Sequence, residues 1–416
     1  MAHSLRIKGP LRKLKAMTFA LELIQKTVSP SLDLPWEDDA IALRRDFHAH
    51  PELGFQETRS AGIIAARLRA LGFQVRENVG KTGVVGVIKG EMGDGPCVLV
   101  RADMDALPIE EENGWEWKSG NRGAMHACGH DAHMAIGLSV ARLLAQSKSE
   151  WGGSVVFMFQ PAEEGLGGAG RMIRDGVLEN PKPDFALSLH VWSPIEKGKI
   201  AVAPGPVMAC ADEFRAKIVG RGGHGALPHE TVDAVVVAAH TILALQSIVS
   251  RNVKPLDSAV VTVGHIHAGN AFNVIPGEAI LSGTTRAFKD DVRKLLETRV
   301  RDIVATLPPV FGARGEMKWV PGFPAVVNDA SVVERLIPAF EKVAGAENVE
   351  EFEPTLGAED MSLVLQQIPG CYFFVGGRSE EIGATFPHHH PKFNIDESAI
   401  HLGARAMVEA VRTLLK

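Results

Sequence analysis

Short apolar runs alternate with helical patterns between about residues 38 and 205 of this chain. The candidate strands are Thr82–Lys89, Cys97–Arg101, Ser154–Gln160 and Phe185–Leu189, and the candidate helices are Trp36–His50, Glu57–Leu71, His133–Ser147 and Ala169–Asp175. This alternation is typical of an α/β domain whose mixed, mostly parallel sheet carries helices on both faces. Because most of the strand runs are continuously apolar, we expect those strands to be buried on both faces.

A second pattern occupies residues 207–321 and indicates a compact α+β domain. Its predicted elements are the strand Asp212–Val219, the glycine-rich turn Gly220–Gly225, the helix Thr231–Val249, the strands Ala259–His267 and Glu278–Phe288, and the helix Asp290–Leu307. The α/β pattern resumes after Gly322, with the helix Val332–Val343, the strand Tyr372–Val375 and the helix Glu397–Leu415. We therefore predict that residues 36–206 and 322–416 fold together, with residues 207–321 inserted between them.

Charge and cysteine content exclude several classes of protein. The 416 residues include 44 Lys and Arg against 50 Asp and Glu, and the cations are scattered, which argues against nucleic-acid binding. Only 4 Cys accompany 16 His, so a dense disulfide framework is excluded and a reducing, cytoplasmic compartment is expected. Residues 1–35 are predicted to form a basic leader without a secretory cleavage site, and no uninterrupted apolar run approaches the ~20 residues that span a membrane.

Residue types that bind metal ions follow or adjoin several predicted elements. Cys128 and His130 precede an apolar helix, and a Cys-x-His pair brings a thiolate and an imidazole within reach of one ion. The other candidates are Asp103 and Asp105 beyond Cys97–Arg101, Glu163 and Glu164 beyond Ser154–Gln160, and His190 beyond Phe185–Leu189. Because ligands of open α/β sheets bind outside the carboxyl ends of the strands, we expect these side chains to converge.

Three consecutive histidines, His388, His389 and His390, lie between two prolines and indicate a positioned loop. With them the chain offers one thiolate, at least three imidazoles and a carboxylate, which is more than a single tetrahedral ion needs. A two-metal site with a bridging hydroxide is the natural interpretation, and such sites serve hydrolysis. The remaining carboxylate of the Glu163 and Glu164 pair is then a candidate general base.

Each of these patterns also has a plain structural interpretation. Asp131 can cap the apolar helix with incidental histidines beside it, a Glu-Glu pair is ordinarily solvent-exposed, and a three-His run can be a solvent loop. Two other functional classes stay open as well. Cys128 and His130 can be a thiol nucleophile and its base, or the chain can be a non-catalytic binding protein that keeps the fold.

Seven segments of the chain occur in an order that resembles the M20 metallopeptidase family. They are His48–Glu57, Arg101–Pro108, Met125–Asp131, Gln160–Gly165, Gly220–His224, Phe272–Gly277 and Gly357–Ser362. More narrowly, they resemble its amidohydrolase branch, which includes hippurate hydrolases, N-acyl-amino-acid and N-acetyldiaminopimelate deacylases, and auxin-conjugate hydrolases. The similarity runs from about residue 38 to 416. It implies a catalytic domain with an inserted lid and dimerisation domain.

The resemblance also implies a set of site residues. Two divalent metal ions (Zn²⁺, Mn²⁺, Co²⁺ or Ni²⁺) would be held by Cys128, His130, Glu164, His190 and His389, with Cys128 bridging them. His389 is favoured because it lies two residues before Pro391, and His388 and His390 are the alternatives. Glu163 matches the catalytic base, and Asp105 matches a carboxylate that orients a ligand. Asp103 stands where other branches of the family have a ligand histidine.

The inserted domain resembles the family's lid. His224 and Asn273 match residues that reach the active site of a neighbouring subunit, and Arg286 matches a residue that grips the substrate's free carboxylate. A homodimer or larger homo-oligomer is thereby implied, with neither a nucleic-acid nor a membrane partner. The implied reaction is hydrolysis of the amide bond of small-molecule N-acyl amino acids, and a dipeptidase or aminopeptidase-like activity is the alternative.

Overall fold

The computed structural model describes residues 34–416, so the predicted leader, residues 1–35, lies outside the described residues apart from its last two. The α-helices are α1 (Trp36–Ala49), α2 (Thr58–Ala70), α3 (His130–Gln146), α4 (Gly168–Arg174), α5 (Ala234–Asn252), α6 (Asp290–Val310), α7 (Ala330–Ala344), α8 (Ser362–Leu365) and α9 (Ser398–Leu414). The strands are β1 (Gln74–Val79), β2 (Gly83–Lys89), β3 (Cys97–Asp103), β4 (Ser154–Gln160), β5 (Phe185–Glu196), β6 (Ile200–Val202), β7 (Gly205–Met208), β8 (Cys210–Val219), β9 (Gly223–His224), β10 (Ala259–Ala268), β11 (Val274–Ile275), β12 (Glu278–Ala287), β13 (Arg314–Val320), β14 (Val326–Asn328), β15 (Val349–Glu351) and β16 (Gly370–Arg378).

These elements form two compact units. The first comprises the described residues up to Val202 together with Ser331–Glu350 and Ile368–Lys416, and the second comprises Ala203–Ala330 and Glu351–Gln367. Residues 351–367 therefore group by their contacts with the second unit, whereas the sequence pattern placed them in the larger domain. The division into a catalytic domain and a lid stays a prediction about function.

The first unit is built on an eight-stranded mixed sheet with the strand order β1-β2-β4-β3-β5-β16-β6-β15. Its four central strands, β4, β3, β5 and β16, run parallel to one another, and β2 and β6 flank them in antiparallel orientation. Every residue of β3 and β4 is buried, as their continuous apolar sequences predict. The predicted α/β class with a mostly parallel sheet is confirmed.

The second unit contains an antiparallel sheet with the strand order β10-β12-β8-β13. Helices α5 and α6 pack against it through a core that includes Phe214, Leu245, Leu281 and Leu296. By length and composition alone α5 could cross a membrane, but this is weak evidence because core helices of soluble proteins pass the same test. About 33% of its apolar window is buried in the unit.

Three element boundaries differ from the sequence prediction in ways that affect the site. Helix α3 begins at His130 rather than His133, so His130 lies in its first turn. Strand β3 extends to Asp103, and β5 continues past Leu189 to Glu196. Asp103 and His190 therefore lie within strands and not beyond them. The reason is pairing, because hydrogen bonds to β4 and β16 continue through polar residues that end an apolar run in the sequence.

Candidate metal centre

The register of the parallel strands places polar residues at one edge of the sheet. Asp103 of β3 lies opposite Gln160 of β4, and Arg101 of β3 lies opposite Ser188 of β5. Two residues further along, Asp103 therefore lies opposite His190. The strands β3, β4 and β5 thus all carry polar side chains at this edge of the sheet. The chain that leaves β3 and β4 at this edge carries the predicted acidic residues.

Six of the residues predicted from the sequence form one connected cluster at this edge. Their ligand atoms fall into three groups, and within each group the atoms lie within 4.8 Å of one another. The groups are Cys128 with His130 and His190, Cys128 with Glu164 and His389, and His130 with Glu163 and Glu164. Because each group shares a member with another, the five predicted ligands and the predicted base are contiguous.

Hydrogen bonds orient the two buried histidines of this cluster. His130 Nδ1 lies 2.8 Å from the carbonyl oxygen of Asp105, and His190 Nδ1 lies 2.6 Å from the carbonyl oxygen of Val191. Since a carbonyl only accepts, Nδ1 carries a proton in each ring, and the neutral form of each ring has its lone pair on Nε2. Histidines that bind metals usually donate their other ring N–H to such an acceptor. Both rings are therefore set to coordinate through Nε2.

Of the three consecutive histidines, His389 is the one that the structure brings to the cluster. Its Nε2 lies 3.3 Å from Glu164 Oε1, and its backbone N–H donates to the carbonyl of Ala127 at 2.8 Å. The backbone of His389 has φ = 65°, a left-handed conformation that is uncommon outside glycine. His388 instead contacts Val191 and Ser193, and His390 stacks on Phe386.

Asp105 supports the tandem glutamates through their backbone. Its Oδ1 accepts the N–H of Glu163 and its Oδ2 accepts the N–H of Glu164, each at 3.0 Å. The Asp105 carbonyl also holds His130, as described above. Asp105 is only 2% exposed, so these contacts are formed away from solvent. The contacts of the Asp105 carboxylate therefore hold the backbone of both glutamates, while the orienting role that the resemblance implies stays a prediction.

The two buried histidines of the cluster differ in their electrostatic surroundings. Although burial lowers it, the carboxylates of Asp103 and Asp105 together raise the pKa of His130 to about 10. Burial, with the neighbouring His133, lowers the pKa of His190 well below its usual range. Because only neutral imidazole binds a metal ion, metal binding at His130 has to displace a proton, whereas His190 is already neutral.

The surroundings of Cys128 oppose a role as a thiol nucleophile. Burial raises the pKa of its thiol well above the usual value, and the carboxylates of Glu164 and Glu163 raise it further. Its Sγ lies 3.5 Å from His190 Nε2, but burial makes that imidazole a weak base. Nucleophilic cysteines need neighbouring positive charge to form the thiolate. Here a cation within the cluster would supply it, which favours Cys128 as a metal ligand.

The sequence analysis missed His133, whose ring bonds to residues of β3 and β5 next to the cluster. His133 Nδ1 lies 2.6 Å from Asp103 Oδ1, and its Nε2 accepts the backbone N–H of Val191 at 2.9 Å. Arg101 donates to the other oxygen of Asp103 at 2.7 Å. The ring thus fixes the peptide that follows His190. Its spacing of three residues from His130 would have revealed it, had α3 been predicted to begin at His130.

A second network missed from the sequence anchors the start of α3. Asp131 Oδ2 accepts from Arg44 Nε at 2.9 Å and lies 2.8 Å from His48 Nδ1. Arg44 also donates to Asn394, and its side chain is 1% exposed. Although burial opposes it, Arg44 and His48 lower the pKa of Asp131 well below its usual range. This buried ion pair holds the residue next to His130, and Asp131 does not act as an ordinary helix cap.

The remaining predicted site residues, His224, Asn273 and Arg286, belong to the second unit. His224 and Asn273 lie in or beside the two-stranded pair β9 and β11, where Gly225 donates its N–H to the Asn273 carbonyl, and both side chains are exposed. His224 Nδ1 accepts the N–H of Ala226 at 3.0 Å, so Nε2 carries the proton. Arg286, in β12, is half-buried.

The donor set fits divalent metal ions. It combines one sulfur, three imidazole nitrogens and a carboxylate, which suits borderline cations such as Zn²⁺. Glu164 Oε1 is buried, and no group within residues 34–416 makes a hydrogen bond to it, although His389 Nε2 lies 3.3 Å away. A buried carboxylate oxygen without a donor is costly unless a cation satisfies it. The side chains that would hold the ions are Cys128, His130, Glu164, His190 and His389.

A mostly parallel α/β sheet with this donor cluster and a neighbouring glutamate defines a metal-dependent hydrolase. Comparison with known proteins supports and narrows that class. The model of peptidase family M20/M25/M40 matches residues 99–413. The N-acetyl-L-cysteine deacetylase of Bacillus subtilis is 38% identical over 91% of this chain and 89% of its own length, and thermostable carboxypeptidase 1 of Saccharolobus solfataricus is 39% identical over 93% and 97%.

A solved structure extends the similarity to the fold. The YXEP protein of Bacillus subtilis, described as a dinuclear metal-binding peptidase of the M20 family, matches with a TM-score of 0.78 and 33% identity over 91% of this chain and 98% of that one. The chain belongs to the M20 peptidase family and is a metal-dependent amidohydrolase. Family and neighbour together indicate two divalent metal ions.

Proposed function

We propose that this amidohydrolase cleaves the amide bond of N-acyl amino acids, with acetyl or aromatic acyl groups, and releases a carboxylic acid and a free amino acid. The observation that carries the proposal is the cluster of Glu163 with five metal-binding side chains in a chain 38% identical to an N-acetyl-L-cysteine deacetylase. When bound, two divalent cations would lower the pKa of a water molecule and polarise the acyl carbonyl. Zn²⁺, Mn²⁺, Co²⁺ and Ni²⁺ all suit this donor set.

Glu163 is the proposed general base. It is 7% exposed, its backbone is held by Asp105, and its carboxylate lies within the His130 and Glu164 group. It takes one proton from water, and the water oxygen attacks the acyl carbon. The same proton then passes to the amide nitrogen as the C–N bond breaks, so the glutamate ends the cycle ionised. General bases of this kind contribute about 10²- to 10⁴-fold to rates.

We further propose that the second unit completes the site in a homo-oligomer. His224 would donate its Nε2 proton to the developing oxyanion, Asn273 would contact the substrate, and Arg286 would bind the free carboxylate. Helix α5 supports self-association, because Val235, Val236 and Leu243 are 43%, 47% and 68% exposed on it. A single-chain mass by light scattering at micromolar concentration would contradict this part of the proposal.

The experiment that tests the reaction is a panel assay of the metal-reconstituted protein with hippurate, N-acetyl amino acids and unmodified dipeptides. We expect the N-acyl amino acids to be hydrolysed faster than the dipeptides. In the Glu163→Gln variant we expect kcat to fall by about 10³-fold with both ions retained, because Glu163 acts as the base and not as a ligand. Activity within tenfold of wild type, with metal still bound, would exclude this role for Glu163.

A second candidate is hydrolysis of peptides. It is favoured by the relative named thermostable carboxypeptidase 1, which is 39% identical to this chain. In the panel, turnover of dipeptides at rates equal to or above those of N-acyl amino acids would support this alternative.

For the location of the protein, we propose the cytoplasm, because all four cysteines are free thiols. Cell fractionation tests this proposal.

A further inference from the structure

Two glutamates near the start of α2, Glu52 and Glu57, have different partners. Glu52 accepts the backbone N–H groups of Arg59 and Ser60, each at 2.8 Å, and so caps the first turn of the helix. Glu57 occupies the N-cap position, yet its side chain makes no capping hydrogen bond. Because Glu52 satisfies the helix, Glu57 is available for a different partner.

Glu57 reaches across the first unit to the turn that follows β4. Its Oε1 accepts the N–H of Ala162 at 2.9 Å, and its Oε2 accepts the hydroxyl of Thr82 at 2.5 Å. The side chain is completely buried, and burial raises the pKa of its carboxyl. A buried carboxylate is costly, so its retention calls for an explanation beyond helix formation.

The turn it reaches carries the tandem glutamates. Three successive N–H groups, those of Ala162, Glu163 and Glu164, all donate to buried carboxylates: the first to Glu57 and the other two to Asp105. Ala162 has φ = 53°, in the left-handed region that residues other than glycine rarely adopt. Such a backbone persists only where its surroundings determine it. Glu57 holds the strained residue, and Asp105 holds the two that follow.

We propose that Glu57 is a positioning residue for Glu163: by binding the Ala162 N–H it keeps the turn in the conformation that aims the Glu163 carboxylate into the cluster. This inference rests on the proposed role of Glu163 as general base. It also predicts that Glu57 stabilises the backbone of residues 161–165, and that stability can be measured without any substrate.

The matched variants are Glu57→Met and Glu57→Gln. Methionine fills a similar volume but accepts no strong hydrogen bond, so the Ala162 N–H is left buried without its acceptor. Glutamine can accept from Ala162 through its amide oxygen, and its NH₂ can donate to the Thr82 hydroxyl. Glu52→Met is the control, because it removes the acceptor of the α2 cap and leaves the turn untouched.

The first measurement is amide hydrogen exchange of the metal-loaded whole chain, followed by mass spectrometry. In Glu57→Met we expect exchange in residues 161–165 to accelerate at least tenfold, with little change in the first turn of α2. Glu52→Met should show the reverse, and Glu57→Gln should stay within threefold of wild type at both segments. Unchanged exchange at 161–165 in Glu57→Met would overturn the proposal.

The second measurement is steady-state kinetics with the N-acyl amino acids that the wild-type protein hydrolyses. Metal content is determined in parallel. We expect kcat of Glu57→Met to fall about 10²-fold with KM within threefold and both ions retained, and Glu57→Gln to keep at least a fifth of wild-type kcat. Equal losses in Glu57→Met and Glu52→Met would show a merely structural effect and refute the positioning role. If wild type hydrolyses nothing in the panel, the proposed function fails, and the exchange experiment still decides the positioning of the turn.

A variant that does not fold leaves a further test. If Glu57→Met is insoluble, Thr82→Val removes one donor to Glu57 while keeping the carboxylate. We then expect a two- to fivefold acceleration of exchange at residues 161–165 and a parallel fall in kcat. A Thr82→Val protein that matches wild type in both measurements would count against the proposal.

Discussion

The two groups of predicted site residues have opposite surroundings. In the first unit, His130 and His190 are buried, and hydrogen bonds to backbone carbonyls fix both rings. In the second unit, His224 and Asn273 are exposed, and their side chains hold no buried partner within the described residues. The buried group is organised by the chain itself, so function and stability are coupled there. The exposed residues can be substituted with little effect on the stability of the fold. Their function depends on a substrate or a second subunit that contacts them.

The largest effect should come from His190→Ala in the buried group. Its Nε2 lies in the cluster beside Cys128, and its ring contacts those of His133 and His388. We expect at least one ion to be lost and kcat to fall by about 10³-fold or more, because metal charge is the main source of activation. Metal analysis and kinetics measure both.

The control for this variant is His50→Ala, since His50 is half-exposed at the end of α1 and its ring bonds to Asp46 of that helix. It should retain two ions and wild-type kcat. A His190→Ala protein that keeps both ions and more than a tenth of wild-type activity would remove His190 from the ligand set and weaken the contrast between the two groups.

His224→Ala should separate function from stability in the exposed group. Within residues 34–416 the imidazole takes part in one hydrogen bond, which it accepts from the N–H of Ala226. Its loss should therefore change the free energy of unfolding by less than about 0.5 kcal/mol. Loss of an oxyanion donor should lower kcat by about 10²-fold. Thermal unfolding and kinetics test the two halves of this prediction. A melting temperature lowered by several degrees, or an unchanged kcat, would break the comparison.

The smallest effect should come from Arg286→Lys. Arg286 is half-buried in β12, and burial lowers the pKa of its guanidinium although the carboxylate of Asp212 opposes that change. Lysine keeps the charge but loses the two-pronged geometry that matches a carboxylate. We expect KM for N-acyl amino acids to rise about tenfold, roughly 1.4 kcal/mol, with kcat little changed. The carboxamide analogues should show no such change, and an equal rise for both would argue against carboxylate recognition.

Much of the fold was predictable because its signals are local. The continuous apolar runs of β3 and β4 predict strands buried on both faces, and both are buried throughout. The strands and helices predicted for the second unit also match to within a few residues, but the edge strand β13 was not predicted. By contrast, the length of β5 was underestimated, because pairing with β16 carries it through His190 to Glu196.

The candidate site was predictable in its residue types and less so in its supports. Cys128, His130 and Glu164 are suited by their chemistry to bind metal, and the family resemblance predicts them as ligands from the sequence alone. His133, Arg44 and Glu57 were missed as supports. Each acts through a partner far away in the sequence, such as Glu57 and Ala162, which are 105 residues apart. No local pattern indicates the pairings of Arg44 and Glu57, whereas the spacing of His133 from His130 on α3 is a local signal.

By itself, the sequence determined which side-chain groups are available to the candidate metal site: one thiol, several imidazoles and a pair of carboxylates. It also determined the alternating α/β framework that carries them. Only the tertiary structure decided their use. It brings His389 rather than His388 or His390 to the cluster, and it makes Glu52 the helix cap and Glu57 the support of the turn. The physical reason is that residue chemistry and helix or strand preference depend on near neighbours. Which donor meets which acceptor depends instead on strand register and on backbone conformations, such as the left-handed Ala162 and His389, that only packing can impose.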